Sequence, residues 1–159
     1  MQQSSNAPTD KDQPRMIADL LRPEAYDHSA DDLRLHETHS SWVVLAGPYA
    51  YKLKKPVDLG FLDFTTLELH RADCEEELRL NRRFSPEVYL GIAEVTEQQG
   101  RFRIGGAGRS GEPAVWMRRL PATGMLPALL AGGNVDARLA RRIGRQLAAF
   151  HSVAVTGGG

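Results

Sequence analysis

The sequence has little cysteine, no net charge and no long apolar run, and each shortage excludes a class of protein. Cys74 is the only cysteine among 159 residues, so an internal disulfide is impossible and a reducing compartment is expected. No apolar run approaches the roughly 18 residues of a membrane span, and the first residues are too polar for a signal peptide. We therefore expect a cytoplasmic protein with no membrane partner.

The charge balance also limits the partners. Lys and Arg total 20, as do Asp and Glu, so the formal net charge is zero and favours no nucleic-acid partner. One helix near the end of the chain carries a basic face, which we interpret as solvated because no aromatic residues alternate with the arginines: Arg138, Arg141, Arg142 and Arg145. The histidines lack the spacing of metal ligands, so we predict no structural metal.

Local patterns predict an α+β fold. Residues 1–14 have almost nothing to bury and predict a disordered tail. Alternating or apolar runs predict strands near residues 33–38, 42–46, 50–55, 92–96 and 114–119, with a turn at Gly47-Pro48 and a hairpin through residues 98–100. The glycine-rich stretch GGAGRSGEP between the hairpin and the last strand predicts a flexible loop.

A short helix of about two turns, formed by Met16, Ile17, Leu20 and Leu21 and ended by Pro23, and two longer helices complete the predicted elements. The first of the longer helices covers residues 67–84, capped by Thr65 or Thr66, and should bury a stripe formed by Cys74, Leu78, Leu80 and Phe84. The second should begin at Asn134 and carry Leu139, Ile143, Leu147 and Phe150. An antiparallel sheet with one packed helix is therefore expected, with a domain boundary near Pro121.

The candidate chemistry lies on the third predicted strand and the long helix. Lys52 and Lys54 are two residues apart, so both side chains should leave the same face of the strand, while Lys55 should point to the other face. Either lysine could hold phosphate oxygens, and Glu77 of the Glu75–Glu77 run is the best placed carboxylate partner, with Glu76 as the alternative. By themselves, these charged residues fit a solvated strand edge and an exposed helical face better than a phosphate site.

Longer blocks of sequence favour the first interpretation. From Leu35 onward the chain resembles the aminoglycoside phosphotransferase-like enzymes that often precede a P-loop kinase domain in bacterial proteins. The resemblance covers residues 33–152, and the segments that carry it are ETHSSWVVL, YAYKLKKPVDLGFLDFTTLE, CEEELRLNRRFSPEVYLG, VWMRRLP and AAFH. It implies a protein-kinase-like N-terminal lobe over 15–121, followed by a hinge and an incomplete helical lobe over 122–159.

The resemblance also implies an ATP site. Lys54, with Lys52 as the alternative, would be the strand lysine, and Glu77, with Glu76 in reserve, the helix glutamate. The hinge that holds adenine would be formed by Met117, Arg118, Arg119 and Leu120. His39, Ser40 and Ser41 would form the turn over the phosphates, although this turn lacks the glycines of protein kinases and fits a plain polar hairpin equally well.

The resemblance implies ATP with Mg²⁺ as cofactors and a small-molecule hydroxyl as the acceptor in the full-length parent. The family's catalytic loop should follow AAFH, but residues 152–159 contain no carboxylate. We therefore predict no catalytic residue and no Mg²⁺ ligand in this chain, and no activity from the chain alone. The alternative is a non-catalytic nucleotide-binding or protein-interaction module. The apolar stripe of the 135–150 helix predicts self-association or a poorly held helix.

Overall fold

The computed structural model describes residues 13–58, 60 and 63–153, except the side chain of Ser110. Most of the predicted tail lies outside these residues, but Gln13 and Pro14 belong to a helix, so the tail prediction is wrong for them. The chain divides into two compact units, one ending at Arg119 and one beginning at Leu120. None of the described helices has the length and apolar character required to cross a membrane.

The first unit is built on a six-stranded antiparallel sheet. Its strands are β1 (Arg34–Glu37), β2 (Ser41–Ala46), β3 (Tyr49–Lys54), β4 (Tyr89–Gln98), β5 (Arg101–Ile104) and β6 (Arg109–Arg118). They lie in the order β1-β2-β3-β6-β4-β5, and every neighbouring pair is antiparallel. The predicted α+β class and antiparallel sheet are therefore confirmed.

One face of the sheet covers the main core. Helix α1 (Gln13–Leu20) inserts Met16 and Leu20, both fully buried, among side chains of the sheet that include Val44, Leu53 and Val95. Leu53 and Val95 each lie between two polar residues of their strand, as expected for a sheet with one apolar face. Burial of this apolar surface fixes the register of β2 and β3.

Helix α2 (Leu67–Arg82) contacts β4 and β6. Thr66 caps it by accepting a hydrogen bond from the Leu69 amide. The predicted apolar stripe is only partly correct, because Leu80 and Phe84 are 43% and 39% exposed. The side chains that α2 buries completely are His70 and Cys74, so part of this interface is polar.

The predicted glycine-rich loop is shorter than expected. Strand β6 already begins at Arg109 and pairs with β4 through residues of that stretch, including Arg109 with Glu97. At Gly108 a Cβ would lie 2.6 Å from the backbone oxygen of Glu97. Glycine there permits a close approach of two backbones, which sequence alone does not distinguish from flexibility.

The second unit contains α3 (Leu126–Ala131) and α4 (Ala137–Ser152). Asp136 caps α4 by accepting a hydrogen bond from the Leu139 amide, so the predicted start at Asn134 is two residues too early. Among residues 120–153 none is buried, and Ile143 and Leu147 are 42% and 44% exposed.

Candidate functional site

Strand β3 presents two lysines on the face of the sheet opposite the main core. Tyr51 and Leu53 are buried in that core, so the alternation of the strand turns Lys52 and Lys54 toward α2. Lys55, just after the strand, forms an ion pair with Glu37 and lies 5.3 Å from the centre of the Trp42 ring. The predicted separation of Lys55 from the other two lysines is therefore confirmed by its partners.

Glu77 of α2 binds both lysines. Its Oε2 atom lies 2.9 Å from the ammonium nitrogens of Lys52 and Lys54, and Lys52 also donates to Oε1 at 2.9 Å. The side chains of Lys54 and Glu77 are only 6% and 14% exposed. The arrangement is a partly buried, hydrogen-bonded ion cluster, which couples α2 to β3 more strongly than an exposed pair would.

The charges in this cluster stabilise each other. Burial alone would lower the pKa of Lys54, but hydrogen bonds to Asp73 and Glu77 outweigh that effect and raise it. Burial alone would raise the pKa of Glu77, but hydrogen bonds from Lys54 and Lys52 lower it. Both groups are therefore charged at neutral pH.

Asp73 is a second carboxylate partner of Lys54 and lies one helical turn before Glu77. The ammonium of Lys54 also lies 5.4 Å from the centre of the Phe64 ring, so an aromatic face covers another side of the charge. Glu76, in contrast, is exposed and pairs with Arg79, and it makes no ion pair with either lysine. Of the two predicted carboxylates, Glu77 is the partner that the structure selects.

A cavity of about 280 Å³ adjoins the cluster. Its lining includes Lys52 and Lys54, and the other lining residues come from the turn before β2, the start of β2, the segment before α2 and one face of α2: Ser40, Ser41, Phe64, Asp73, Glu76, Glu77, Leu80 and Asn81. Two ammonium groups in the lining of an open cavity can hold oxygens of a phosphate chain.

The turn between β1 and β2 forms one edge of this cavity. Thr38 closes the turn, because its hydroxyl accepts from the Ser41 amide at 3.0 Å and its own amide donates to the Ser41 carbonyl. Ser40 lies in the turn as predicted, but Ser41 is the first residue of β2 and is only 2% exposed. The two serines therefore meet the lysines at the cavity, with Ser41 in the strand and not in the turn.

The predicted hinge residues lie at and just after the end of the last strand and are not part of the lining of the lysine cavity. Met117 and Arg118 end β6, and Arg119 binds Asp32 through an ion pair of 2.7 Å. Met117, Arg118 and Arg119 do not line the lysine cavity. Leu120 is the first residue of the second unit and is 48% exposed.

A buried His–Glu pair lies between α2 and β6. His70 Nδ1 contacts Glu112 Oε1, and His70 Nε2 lies 2.6 Å from the Phe64 carbonyl oxygen. Burial would lower the pKa of His70, but the contact with Glu112 outweighs it and raises the pKa, and burial raises the pKa of Glu112. The pair therefore retains its proton more strongly than the separate groups, and it anchors the segment that carries Phe64.

Sequence reasoning missed two parts of this site. Asp73 precedes Glu77 by four residues, a spacing that places both on one helix face and could have indicated it. Glu112 lies in the stretch that predicted a loop, and its contact with His70 joins residues 42 positions apart, which no local pattern reveals. Within the described residues, no group of three or more His, Cys, Asp or Glu side chains is placed to hold a metal ion.

The chain is similar to uncharacterized proteins of Mycobacterium tuberculosis and Mycobacterium bovis. It is 37% identical to each over 117 residues, which are 74% of this chain and 22% of the relative's length. The chain thus spans about a fifth of the relatives that it matches. No family model and no solved structure matches the chain.

Proposed function

We propose that the first unit is the nucleotide-binding lobe of a protein-kinase-like phosphotransferase, of the aminoglycoside phosphotransferase-like type. The observation that carries the proposal is the pair of Lys54 and Glu77, joined at 2.9 Å between a central strand and the packed helix beside an open cavity. Kinases use a strand lysine held by a helix glutamate to position the α and β phosphates of ATP.

The chemistry of the cavity supports a phosphate-containing ligand. Lys52 is 29% exposed, so its ammonium can donate to a ligand without leaving Glu77. Ser40 and Asn81 add side chains that can donate hydrogen bonds at the rim. We propose ATP as the ligand, bound with Mg²⁺, because a divalent cation offsets the charge that the phosphates bring to a cavity containing several carboxylates.

The transfer step belongs to the longer protein in this proposal. There the lobe would supply ATP for phosphorylation of a small-molecule hydroxyl, with the residues that bind Mg²⁺ and orient the acceptor outside this chain. From this chain alone we expect ATP binding without turnover. A non-catalytic nucleotide-binding or protein-interaction module is the second candidate, favoured by the two carboxylates, Asp73 and Glu77, that already occupy Lys54.

Calorimetric titration of the 159-residue protein with Mg-ATP tests the proposal. Lys54→Ala should weaken binding by about tenfold or more, because it removes a charged hydrogen-bond donor worth ~1.5–3 kcal/mol. Lys55→Ala removes the same charge from a residue paired with Glu37 and should leave binding near the wild-type value. Equal effects of the two substitutions would contradict the proposal, and no binding by the wild type would favour the interaction module.

A further inference from the structure

The lysine cluster contains one more carboxylate than its lysines need. Glu77 alone already contacts both ammonium groups, yet Asp73 adds a second contact to Lys54. Asp73 is 34% exposed and Glu77 only 14%, so Asp73 is the carboxylate that faces the solvent side of the cluster. Its placement four residues before Glu77 also sets two like charges on one helix face, which disfavours the helix.

Asp73 removes the net positive charge from the site. Two ammonium groups of β3 face two carboxylates of α2, and Glu76 at the rim is balanced by Arg79. A ligand that approaches from the cavity therefore meets a lining without net charge. An anion gains little from such a lining until one carboxylate withdraws.

The donors of Lys54 are also largely occupied. An ammonium group has three N–H donors, and in Lys54 Asp73 and Glu77 take two of them, while the Phe64 ring lies 5.4 Å away on another side. Glu77 is 14% exposed and is held by two lysines, whereas Asp73 is the more exposed of the two carboxylates. A phosphate oxygen that reaches Lys54 would displace Asp73 first.

We propose that Asp73 competes with the ligand for the Lys54 ammonium and makes the site select a polyphosphate that is partly neutralised by a divalent cation over a free polyphosphate. This inference rests on the proposed function in that the ligand is a polyphosphate. Asp73 is then a specificity-determining residue: it penalises each ligand in proportion to the negative charge that the ligand brings to Lys54.

Asp73→Asn tests the inference, because it removes the charge and keeps the size of the side chain. The control is Glu75→Gln, the same loss of charge on an exposed residue of α2 that does not line the cavity. The probes are tripolyphosphate and ATP, both with a metal chelator, and Mg-ATP. Asp73→Asn should bind the two metal-free ligands about tenfold more tightly than the wild type does. Its affinity for Mg-ATP should increase by only about threefold. Glu75→Gln should change all three by less than about twofold.

A double variant tests whether the effect of Asp73 depends on Lys54. In a Lys54→Met background, Asp73→Asn should improve binding by a smaller factor, because the competition for the ammonium is gone and only the repulsion by the carboxylate remains. An undiminished gain without Lys54, an equal gain for all three ligands, or the same gain from Glu75→Gln would overturn the inference. Asp73→Ser provides the same comparison if the Asn variant melts below the wild type.

The outcomes separate this inference from the proposed function. If the wild type binds Mg-ATP and Asp73→Asn improves no ligand, the competition is wrong and the nucleotide lobe stands. If Asp73→Asn binds tripolyphosphate while neither protein binds Mg-ATP, the competition stands and ATP is wrong as the ligand. If no ligand binds either protein, both proposals fall.

Discussion

The ammonium of Lys54 and the carboxylate of Glu77 meet at 2.9 Å across the interface between strand β3 and helix α2, with both side chains largely withdrawn from water. Two opposite charges buried in this way depend on each other, since either one left alone would have lost its hydration without compensation. The ion pair therefore connects β3 to α2 and also forms the centre of the candidate site.

The first prediction concerns this ion pair. Glu77→Gln should lower the free energy of unfolding by about 1–3 kcal/mol, because two lysines lose a charged acceptor that is largely buried. Urea denaturation followed by circular dichroism gives the value. Glu76→Gln is the matched control: it neutralises an exposed carboxylate and should leave the midpoint nearly unchanged. A Glu77 variant as stable as the control would mean that the ion cluster adds nothing to the fold.

The second prediction concerns the pH dependence of the His70–Glu112 pair. The pKa of His70 is raised above 6.5, so its contribution to stability is present below that value and is lost as the pH rises through the raised pKa. The raised pKa of Glu112 acts in the same direction. The melting temperature of the wild type should therefore fall as the pH rises above about 6.5, the ordinary pKa of histidine.

The control for this pH effect is His70→Gln, which can still contact Glu112 but does not titrate in this range. Its melting temperature should be lower than that of the wild type near pH 6 and should change less with pH. Parallel pH profiles of the two proteins would show that other groups cause the decline.

The third prediction concerns the hairpin turn between β2 and β3. Gly47 has a φ of +54°, and a Cβ there would lie 2.2 Å from the backbone oxygen of Ser29. Gly47→Ala should cost about 1–2 kcal/mol for the left-handed conformation alone, and more for the clash. Gly144→Ala is the opposite case, since nothing lies within 4 Å of its Cβ in the interior of α4, and it should favour that helix by about 0.5–1 kcal/mol. In thermal melts, the melting temperature should fall for Gly47→Ala and rise for Gly144→Ala. A Gly47→Ala variant that melts at or above the wild-type temperature would contradict the prediction.

The fourth prediction concerns helix α4. Leu139, Ile143, Leu147 and Phe150 lie on one stripe, and none of the described residues of the second unit is buried. Each apolar side chain left in water forgoes ~1.5–3 kcal/mol of burial, so the helix should self-associate or remain poorly held. Hydrogen exchange of residues 137–152 should be faster than that of β3 and β6 in a dilute sample, with protection rising as concentration rises if copies pair.

The hydrodynamic size of the same samples completes this test. Ile143→Lys with Leu147→Lys should abolish any concentration dependence, whereas Arg141→Lys on the same helix should not. A monomer at every concentration whose 137–152 amides are protected as strongly as those of the sheet would contradict the expectation.

Local patterns in the sequence were sufficient for most elements of the first unit. The alternation of β3 placed Lys52 and Lys54 on one face because neighbouring side chains of a strand point to opposite faces. The Thr66 cap, the antiparallel strands and the Gly47-Pro48 turn follow from equally local rules. The helix that follows the lysine strand offered Glu77 as the first choice of carboxylate and Glu76 as the alternative, and the structure selects Glu77.

Only the tertiary structure decided which carboxylates bind the two lysines and which apolar residues are buried. Strand β6 begins inside a glycine-rich stretch because its partner is β4, and the pairing of distant segments leaves no local periodicity. The two contacts of Lys54 and the buried His70–Glu112 pair depend on how α2 lies on the sheet, as does the exposure of Leu80. The sequence alone thus determined most of the strands and helices and the face of β3 that carries Lys52 and Lys54. The packing of α2 against β4 and β6 determined the charge of the site, because electrostatic partners are set by distance in space.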